Sequence, residues 1–132
     1  MYDAIIVGAG PAGNVAALRL SSKGHRVAVL DWRFDIGDKL CTGIVGTECG
    51  EAFPIPSELI YRQANSATFI SPNGREFGVV SRRDQALVVD RVAYINEMAE
   101  TAMNAGASYH LGHRVSGIEI DDTSVRVRVR AS

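Results

Sequence analysis

The chain has 132 residues, of which 46% are hydrophobic, and its formal net charge is −1 at pH 7. This composition is typical of a globular domain and lacks the basic excess expected of a nucleic-acid-binding protein. No run approaches the roughly 18–20 apolar residues that cross a bilayer. No basic region precedes the first apolar stretch, as it would in a signal peptide. We therefore expect a cytoplasmic protein without a nucleic-acid partner.

Cysteine and histidine spacing gives no indication of a metal site. The two cysteines, Cys41 and Cys49, are not arranged as CxxC, and no paired-histidine spacing occurs. In a cytosolic protein we expect both to be free thiols. The length suits one nucleotide-binding domain over residues 1–132 but leaves little room for a substrate pocket. We expect a truncated domain from the N-terminal part of a longer protein, with a β-hairpin insertion at 52–82.

The first 31 residues predict a strand, a glycine-rich turn, a helix and a second strand that ends on an acid. Residues 2–7 are an apolar run typical of a fully buried parallel strand. The turn VGAGPAG at 7–13 follows, and apolar residues then recur at helical spacing to about residue 22. A second buried strand at 26–30 leads to Asp31. This is the context that a dinucleotide-binding GxGxxG motif requires.

Each residue of the turn has a mechanical role in such a unit. Gly8 permits the tight turn, Gly10 lets a pyrophosphate approach the backbone, and Gly13 lets the helix lie close to the sheet. Pro11 suits the first helical position, and with Ala12 it opens the helix whose unpaired N–H groups bind phosphate. The alternative is a purely structural glycine-rich turn in an α/β fold.

The end of the second strand predicts which sugar the cofactor carries. Asp31 lies eighteen residues after Gly13, where a carboxylate accepts hydrogen bonds from an adenosine ribose. Trp32 and Arg33 follow and are expected beside the adenosine. An arginine here can instead accept the 2′-phosphate of NADP, which Asp31 would repel. The sequence therefore favours an unphosphorylated ribose.

The middle of the chain has weaker periodicity. Residues 35–56 contain many turn formers and are predicted to be a long irregular segment, which is more often a functional loop than a connector. A short helix is predicted at 56–62, with Ser57 as its N-cap. Two runs around an Asn-Gly turn, at 67–71 and 75–80, predict a β-hairpin.

The last third returns to the α/β pattern. A short strand at 86–89 leads to a helix from about 91 to 105, with Asp90 as its N-cap and a stripe of apolar residues. A third parallel strand is predicted at 108–111, beside the second. Two antiparallel strands, at 113–120 and 124–130, close the chain, with the valines of the last strand predicted inward and its arginines outward.

Three segments, in this order, resemble FAD-dependent oxidoreductases. The VGAGPAG turn with Asp31 resembles their opening. The segment IGDKLCTGI at 36–44 resembles the K-x-C-x-G element of the geranylgeranyl reductase family. The segment VVDRVAYI at 88–95 resembles an arginine-led helix which that family shares with aromatic-ring hydroxylases such as p-hydroxybenzoate hydroxylase. The lysine–cysteine element is the most specific of the three.

The resemblance implies a Rossmann-like α/β fold, with a parallel sheet and an antiparallel hairpin, that binds FAD and can take electrons from NAD(P)H. The turn glycines would cradle the FAD pyrophosphate, and Asp31 the adenosine ribose. Cys41 would lie near the isoalloxazine ring, and Lys39 and Arg91 would help to hold the cofactor. The implied reaction reduces carbon–carbon double bonds of isoprenoid chains. A lipid substrate of this kind allows peripheral membrane association.

Several alternatives remain open from the sequence. On residue chemistry alone, Cys41 is more often a small buried hydrophobic residue than a functional thiol. A flavin monooxygenase or halogenase would use the same scaffold, and a cofactor-binding module would do no chemistry. Asp31 replaces the glutamate that the resembled family more often has, and that family's later glycine–aspartate segment is absent from these residues. We expect the chain alone to be inactive.

Overall fold

The computed structural model describes residues 1–131, which form two compact units. One unit comprises residues 1–39 and the chain from 95 onward, and the other comprises residues 40–94. The strands are β1 Ala4–Val7, β2 Val27–Leu30, β3 Ile44–Gly46, β4 Ile60–Ala64, β5 Ser66–Ile70, β6 Glu76–Val80, β7 Ala86–Val89, β8 Ser108–His110, β9 His113–Ile120 and β10 Val125–Ala131. The helices are α1 Pro11–Ser21, α2 Thr47–Ala52 and α3 Arg91–Asn104.

The first unit is built on a parallel sheet in the order β1–β2–β8. This confirms the predicted α/β class and the position of the third parallel strand beside the second. The central strand β2 is buried along its whole length. The core lies on the face of the sheet that carries the Ile6 side chain, where Ala17 of α1, Val29 of β2 and Ala102 of α3 pack together.

The first strand differs from its predicted environment. Ile5 and Val7 are 39% and 57% exposed, so the prediction of a strand buried on both faces is wrong. The reason is that β1 lies at an edge of this sheet, and the core cluster packs on the opposite face. The uniform apolar run could not reveal this, because it carries no alternation that marks an exposed face.

A buried asparagine ties three elements of the first unit together. Asn14 of α1 is 0% exposed; its Nδ2 donates to the Ile95 carbonyl oxygen of α3 at 3.2 Å. Its Oδ1 accepts a hydrogen bond from the Tyr109 hydroxyl of β8 at 2.9 Å. Burial raises the pKa of Tyr109 to about 12, so this hydroxyl stays protonated and donating. Asn14 could not be predicted as a core residue, because the pattern of apolar residues that indicates the buried face of a helix does not include a polar side chain.

The second unit contains an antiparallel sheet in the order β3–β7–β4 and a separate β5–β6 hairpin. The predicted hairpin is confirmed, with Gly74 at a φ of +78° in its turn. Two predictions are wrong. The expected helix at 56–62 is a single 3-10 turn, Ser57–Leu59, followed by β4, and the expected irregular segment contains β3 and α2. Both missed strands pair with β7, a long-range contact that local propensity does not encode.

The helix α3 begins as predicted. The Asp90 Oδ1 accepts a hydrogen bond from the Ala93 main-chain N–H at 3.0 Å, as an N-cap does. Ile95, Ala99 and Ala102 are buried, whereas the predicted stripe members Val92 and Met103 are exposed. None of the helices in the described chain combines the length and apolar character needed to cross a bilayer.

The closing hairpin has the predicted pairing but a different environment. Strands β9 and β10 are antiparallel, as expected. The prediction that the β10 valines face inward is wrong for Val125 and Val129, which are exposed; Val127 is half-buried. Among the described residues these two strands pair only with each other, so most of the valine side chains remain uncovered.

The Asn14 contacts predict a measurable effect on stability. We expect Asn14→Ala to lower the free energy of unfolding by about 2–4 kcal/mol, because a buried hydroxyl and a buried carbonyl lose their partner and a cavity remains. Urea denaturation measures this. The matched control is Asn104→Ala at the exposed end of α3, where we expect a change within about 0.5 kcal/mol. Equal effects of the two substitutions would contradict the assignment of Asn14 as a structural clamp.

Candidate functional site

The glycine turn brings α1 into direct contact with the end of β1. Gly8 has a φ of +107°, a region that favours glycine, and its N–H donates to the Leu30 carbonyl oxygen at 2.7 Å. A Cβ at Gly13 would lie 2.0 Å from the Gly8 carbonyl oxygen and 3.3 Å from the Ile6 Cγ2. No side chain larger than hydrogen fits at position 13, so the helix starts directly above the turn.

The first turn of α1 leaves its main-chain N–H groups to a ligand. Gly10 is the N-cap and Pro11 opens the helix; within the described residues no side chain caps this end and its first turn carries no acid. A Cβ at Gly10 would meet no atom within 4 Å. The unpaired N–H groups and the positive end of the helix dipole thus face open space beside a residue without a side chain. A phosphate group fits this arrangement.

Asp31 connects the second strand to the glycine turn. Its Oδ2 accepts a hydrogen bond from the Ala9 main-chain N–H at 2.8 Å, and its Oδ1 accepts one from the Arg33 N–H at 2.9 Å. The Arg33 guanidinium lies 3.8 Å from the same Oδ1. The Asp31 side chain is only 12% exposed. The carboxylate therefore fixes the shape of the turn, and each oxygen keeps a lone pair that can accept from a hydroxyl.

A cavity of about 400 Å³ opens at the ends of β1 and β2. We call it the strand-end cavity; it is lined by Val7, Gly8, Leu30, Asp31, Trp32, His113, Arg114 and Val115. The last three residues open β9 and were missed by the sequence analysis. The signal that could have found them is topological, because parallel strands present their carboxyl ends at one edge, and β9 starts just beyond the end of β8.

Two side chains of the cavity wall, Trp32 and Arg114, lie close to each other, and Arg33 packs on the same indole ring from outside the lining. The guanidinium carbon of Arg33 lies 4.4 Å from the centroid of the Trp32 ring, and that of Arg114 lies 5.0 Å from it. These are cation–π distances. We call these three residues the indole–arginine cluster. Trp32 and Arg114 line the same cavity as the Asp31 carboxylate and the glycine turn.

The remaining predicted site residues lie elsewhere in the chain. Lys39 is exposed at the end of the first unit's N-terminal segment, where its N–H donates to the Gly37 carbonyl oxygen at 2.7 Å. It does not line the strand-end cavity described above. Cys41 and Arg91 both belong to the second unit, in which Arg91 opens α3.

Cys41 is an exposed thiol with a lowered pKa. The main-chain N–H of Gly43 is the largest cause, because it stabilises the thiolate by hydrogen bonding, and the positive charge of Arg91 adds to it. The interpretation of Cys41 as a small buried residue is therefore wrong. Gly43 has a φ of +70° and its carbonyl oxygen accepts from the Val89 N–H at 2.9 Å, which fixes this loop on β7.

Gly10 and Gly13 should differ in how well they tolerate a methyl group. We expect Gly13→Ala to lower the free energy of unfolding by about 2 kcal/mol or more, because overlap with the Gly8 carbonyl exceeds the gain in helix propensity of about 1 kcal/mol. Gly10→Ala should change it by less than about 1 kcal/mol. Thermal or urea unfolding distinguishes them. A tolerated alanine at position 13 would show that α1 does not sit on the turn.

Two known reductases are similar to this chain in sequence. The digeranylgeranylglycerophospholipid reductase of Methanosarcina mazei is 31% identical over 95% of this chain and 32% of its own length. The geranylgeranyl diphosphate reductase of Rhodobacter capsulatus is 38% identical over 80% of this chain and 27% of its own. The predicted resemblance to geranylgeranyl reductases is thereby confirmed as a sequence similarity. The chain spans about a third of the length of these relatives.

Solved structures show the same fold at lower identity. A geranylgeranyl bacteriochlorophyll reductase-like protein from Thermoplasma acidophilum superposes with a TM-score of 0.81 at 20% identity, over 98% of this chain and 35% of the other. The halogenase PltM in complex with FAD, as an L111Y mutant, gives a TM-score of 0.71 at 19% identity, over 99% and 32%. The family model of the pyridine nucleotide-disulphide oxidoreductases matches residues 2–131. The chain belongs to the pyridine nucleotide-disulphide oxidoreductase family.

Proposed function

We propose that this chain binds FAD and forms the cofactor-binding portion of an oxidoreductase that reduces carbon–carbon double bonds of isoprenoid chains. The observation that carries the proposal is the uncapped start of α1 at Gly10, next to a turn that Asp31 holds. The family and the two reductases described above, whose names both specify geranylgeranyl groups, support the reaction class.

The adenosine diphosphate half of FAD would use the first unit. The N–H groups of the first turn of α1 would bind the diphosphate, and Gly10 leaves room for its oxygens. Asp31 would accept hydrogen bonds from the ribose with the lone pairs that Ala9 and Arg33 do not use. An unphosphorylated ribose fits, because the Asp31 carboxylate would repel a 2′-phosphate.

The flavin half would use the residues around the thiol. FAD held at these residues would, once reduced, supply the hydride equivalent needed to saturate a carbon–carbon double bond. We propose that Cys41 lies near the isoalloxazine ring, where the Gly43 N–H and then the charge of Arg91 lower the pKa of its thiol, and that Lys39 lies beside the cofactor.

The substrate class follows from what the two relatives' names share. One name specifies a glycerophospholipid and the other a diphosphate as the group that carries the chain, and both specify geranylgeranyl chains. We therefore propose the polyprenyl chain itself as the recognised group. Either substrate carries a long apolar chain that favours a membrane surface, so we propose peripheral membrane association of the whole protein.

Flavin binding by this chain tests the proposal directly. We expect equilibrium dialysis to detect FAD binding, and Gly10→Val to weaken it by at least tenfold, because the new side chain fills the space beside the helix start. The matched control is Gly78→Val in β6, where a Cβ also meets no atom within 4 Å. Binding that survives Gly10→Val, or that Gly78→Val weakens equally, would contradict the proposed diphosphate site.

The proposed activity is tested with the protein encoded by the whole reading frame that contains this chain. We expect a yellow protein that hydrogenates a geranylgeranyl substrate anaerobically with a chemical or NAD(P)H reductant. Product formation that requires oxygen would instead assign a monooxygenase or halogenase. A protein that retains flavin but shows neither activity would be a cofactor-binding module.

The thiol should ionise at lower pH than an ordinary cysteine. We expect the rate of iodoacetamide alkylation of Cys41, measured in a Cys49→Ser background, to rise through a midpoint below the usual thiol range near 8.5. Because the folded pKa is lowered, the thiolate persists to lower pH than in the unfolded chain. Arg91→Ala should move the midpoint upward, and a midpoint that urea leaves unchanged would show that the fold does not stabilise the thiolate.

A further inference from the structure

We infer that Arg114 is a nucleobase-positioning residue, and that the indole–arginine cluster forms the surface on which the purine base of the bound nucleotide stacks. The inference rests on the proposed function, because it concerns the adenine end of the same cofactor. It adds a residue outside the glycine motif and outside the segment after β2, namely one contributed by β9.

The turn before β9 is fixed against the segment that carries Asp31. The Asp31 N–H donates to the His110 carbonyl oxygen at 3.2 Å, and the His113 N–H donates to the Asp31 carbonyl oxygen at 2.8 Å. The Gly112 N–H donates to the Arg33 carbonyl oxygen at 2.9 Å. Any Cβ at Gly112, whose φ is +69°, would lie 2.6 Å from the Phe34 ring. These contacts place Arg114 at the cavity independently of a ligand.

The two arginines of the cluster are held differently. Arg33 is anchored by Asp31, which accepts its N–H and lies 3.8 Å from its guanidinium. Among the ion pairs of the described residues, none involves Arg114, whose guanidinium instead lies over the Trp32 ring at 5.0 Å. Its planar cation is thus oriented by an aromatic face and not committed to a carboxylate.

An indole with adjacent guanidinium planes is a suitable surface for a base. Bases stack on aromatic side chains and on guanidinium planes, and the larger ring system of a purine gains more from this than a pyrimidine does. Trp32 is 46% exposed, so the cluster is open to a ligand at the cavity that Trp32 and Arg114 line. The adenine end of a dinucleotide whose ribose lies at Asp31 would reach this surface within the same cavity.

Nucleotide titrations separate stacking from simple charge attraction. Trp32 is the single tryptophan of the chain, so its fluorescence reports ligands at the cavity without a flavin. We expect ADP to quench it and to bind more tightly than UDP, which has the same ribose diphosphate and a smaller base. Arg114→Ala should weaken ADP binding at least fivefold and UDP binding less, so that the preference for ADP falls.

Two further variants decide the interpretation. Arg114→Lys keeps the charge but not the plane, and we expect it to lose the ADP preference as well. Arg130 of β10 is paired with Arg114 of β9. Arg130→Ala removes one positive charge at this neighbouring position and should leave the affinities for ADP and UDP unchanged. ADP binding within twofold of the original in Arg114→Ala, or equal losses for ADP and UDP, would overturn the inference while leaving the diphosphate site intact. Failure of the unsubstituted chain to bind ADP would remove the proposed function itself.

Discussion

The site depends on the hydrogen bond between the Ala9 N–H and the Asp31 carboxylate. Ala9 lies in the turn between β1 and α1 and Asp31 follows the central strand β2, so this 2.8 Å contact joins the glycine turn to the end of β2. The second oxygen of the carboxylate is held by the Arg33 N–H, which fixes its orientation. A charged acceptor bound to main-chain N–H groups is among the stronger hydrogen bonds in proteins. The shape of the turn, and hence the direction of the first N–H groups of α1, follows from it.

Close packing behind the turn completes the constraint. Gly13 admits the helix to the Gly8 carbonyl, and Asn14, one residue later, anchors the same helix to α3 and β8. Three residues at the start of α1 therefore serve different purposes. Gly10 leaves space for a ligand, Gly13 allows contact with the turn, and Asn14 forms a polar link inside the core. Because α1 is held both at the glycine turn and in the core, its N-terminus has one fixed position, as preorganised anion binding requires.

The sequence predicted those parts of the fold that short-range rules determine. The glycine turn, β2, the Asp90 cap of α3, the β5–β6 hairpin and the parallel strand β8 all followed from local pattern and turn chemistry. The strands β3 and β4 were missed because their pairing with β7 is a long-range contact. The exposure of Val7 and Val129 was missed because hydrophobicity alone does not show which faces the rest of a protein covers.

The same distinction between local pattern and long-range contact applies to the residues of the candidate site. Gly8, Gly10, Gly13 and Asp31 could be predicted as site residues because their motif has a fixed spacing. His113 and Arg114, which line the same cavity as Gly8 and Asp31, belong to no motif and come from the far end of the unit. The central claim is that the first turn of α1 binds a diphosphate. Amide chemical-shift perturbation by ADP tests it most directly. The account predicts the largest shifts at Ala9, Gly10, Ala12 and Gly13, and shifts confined to residues outside this turn would contradict it.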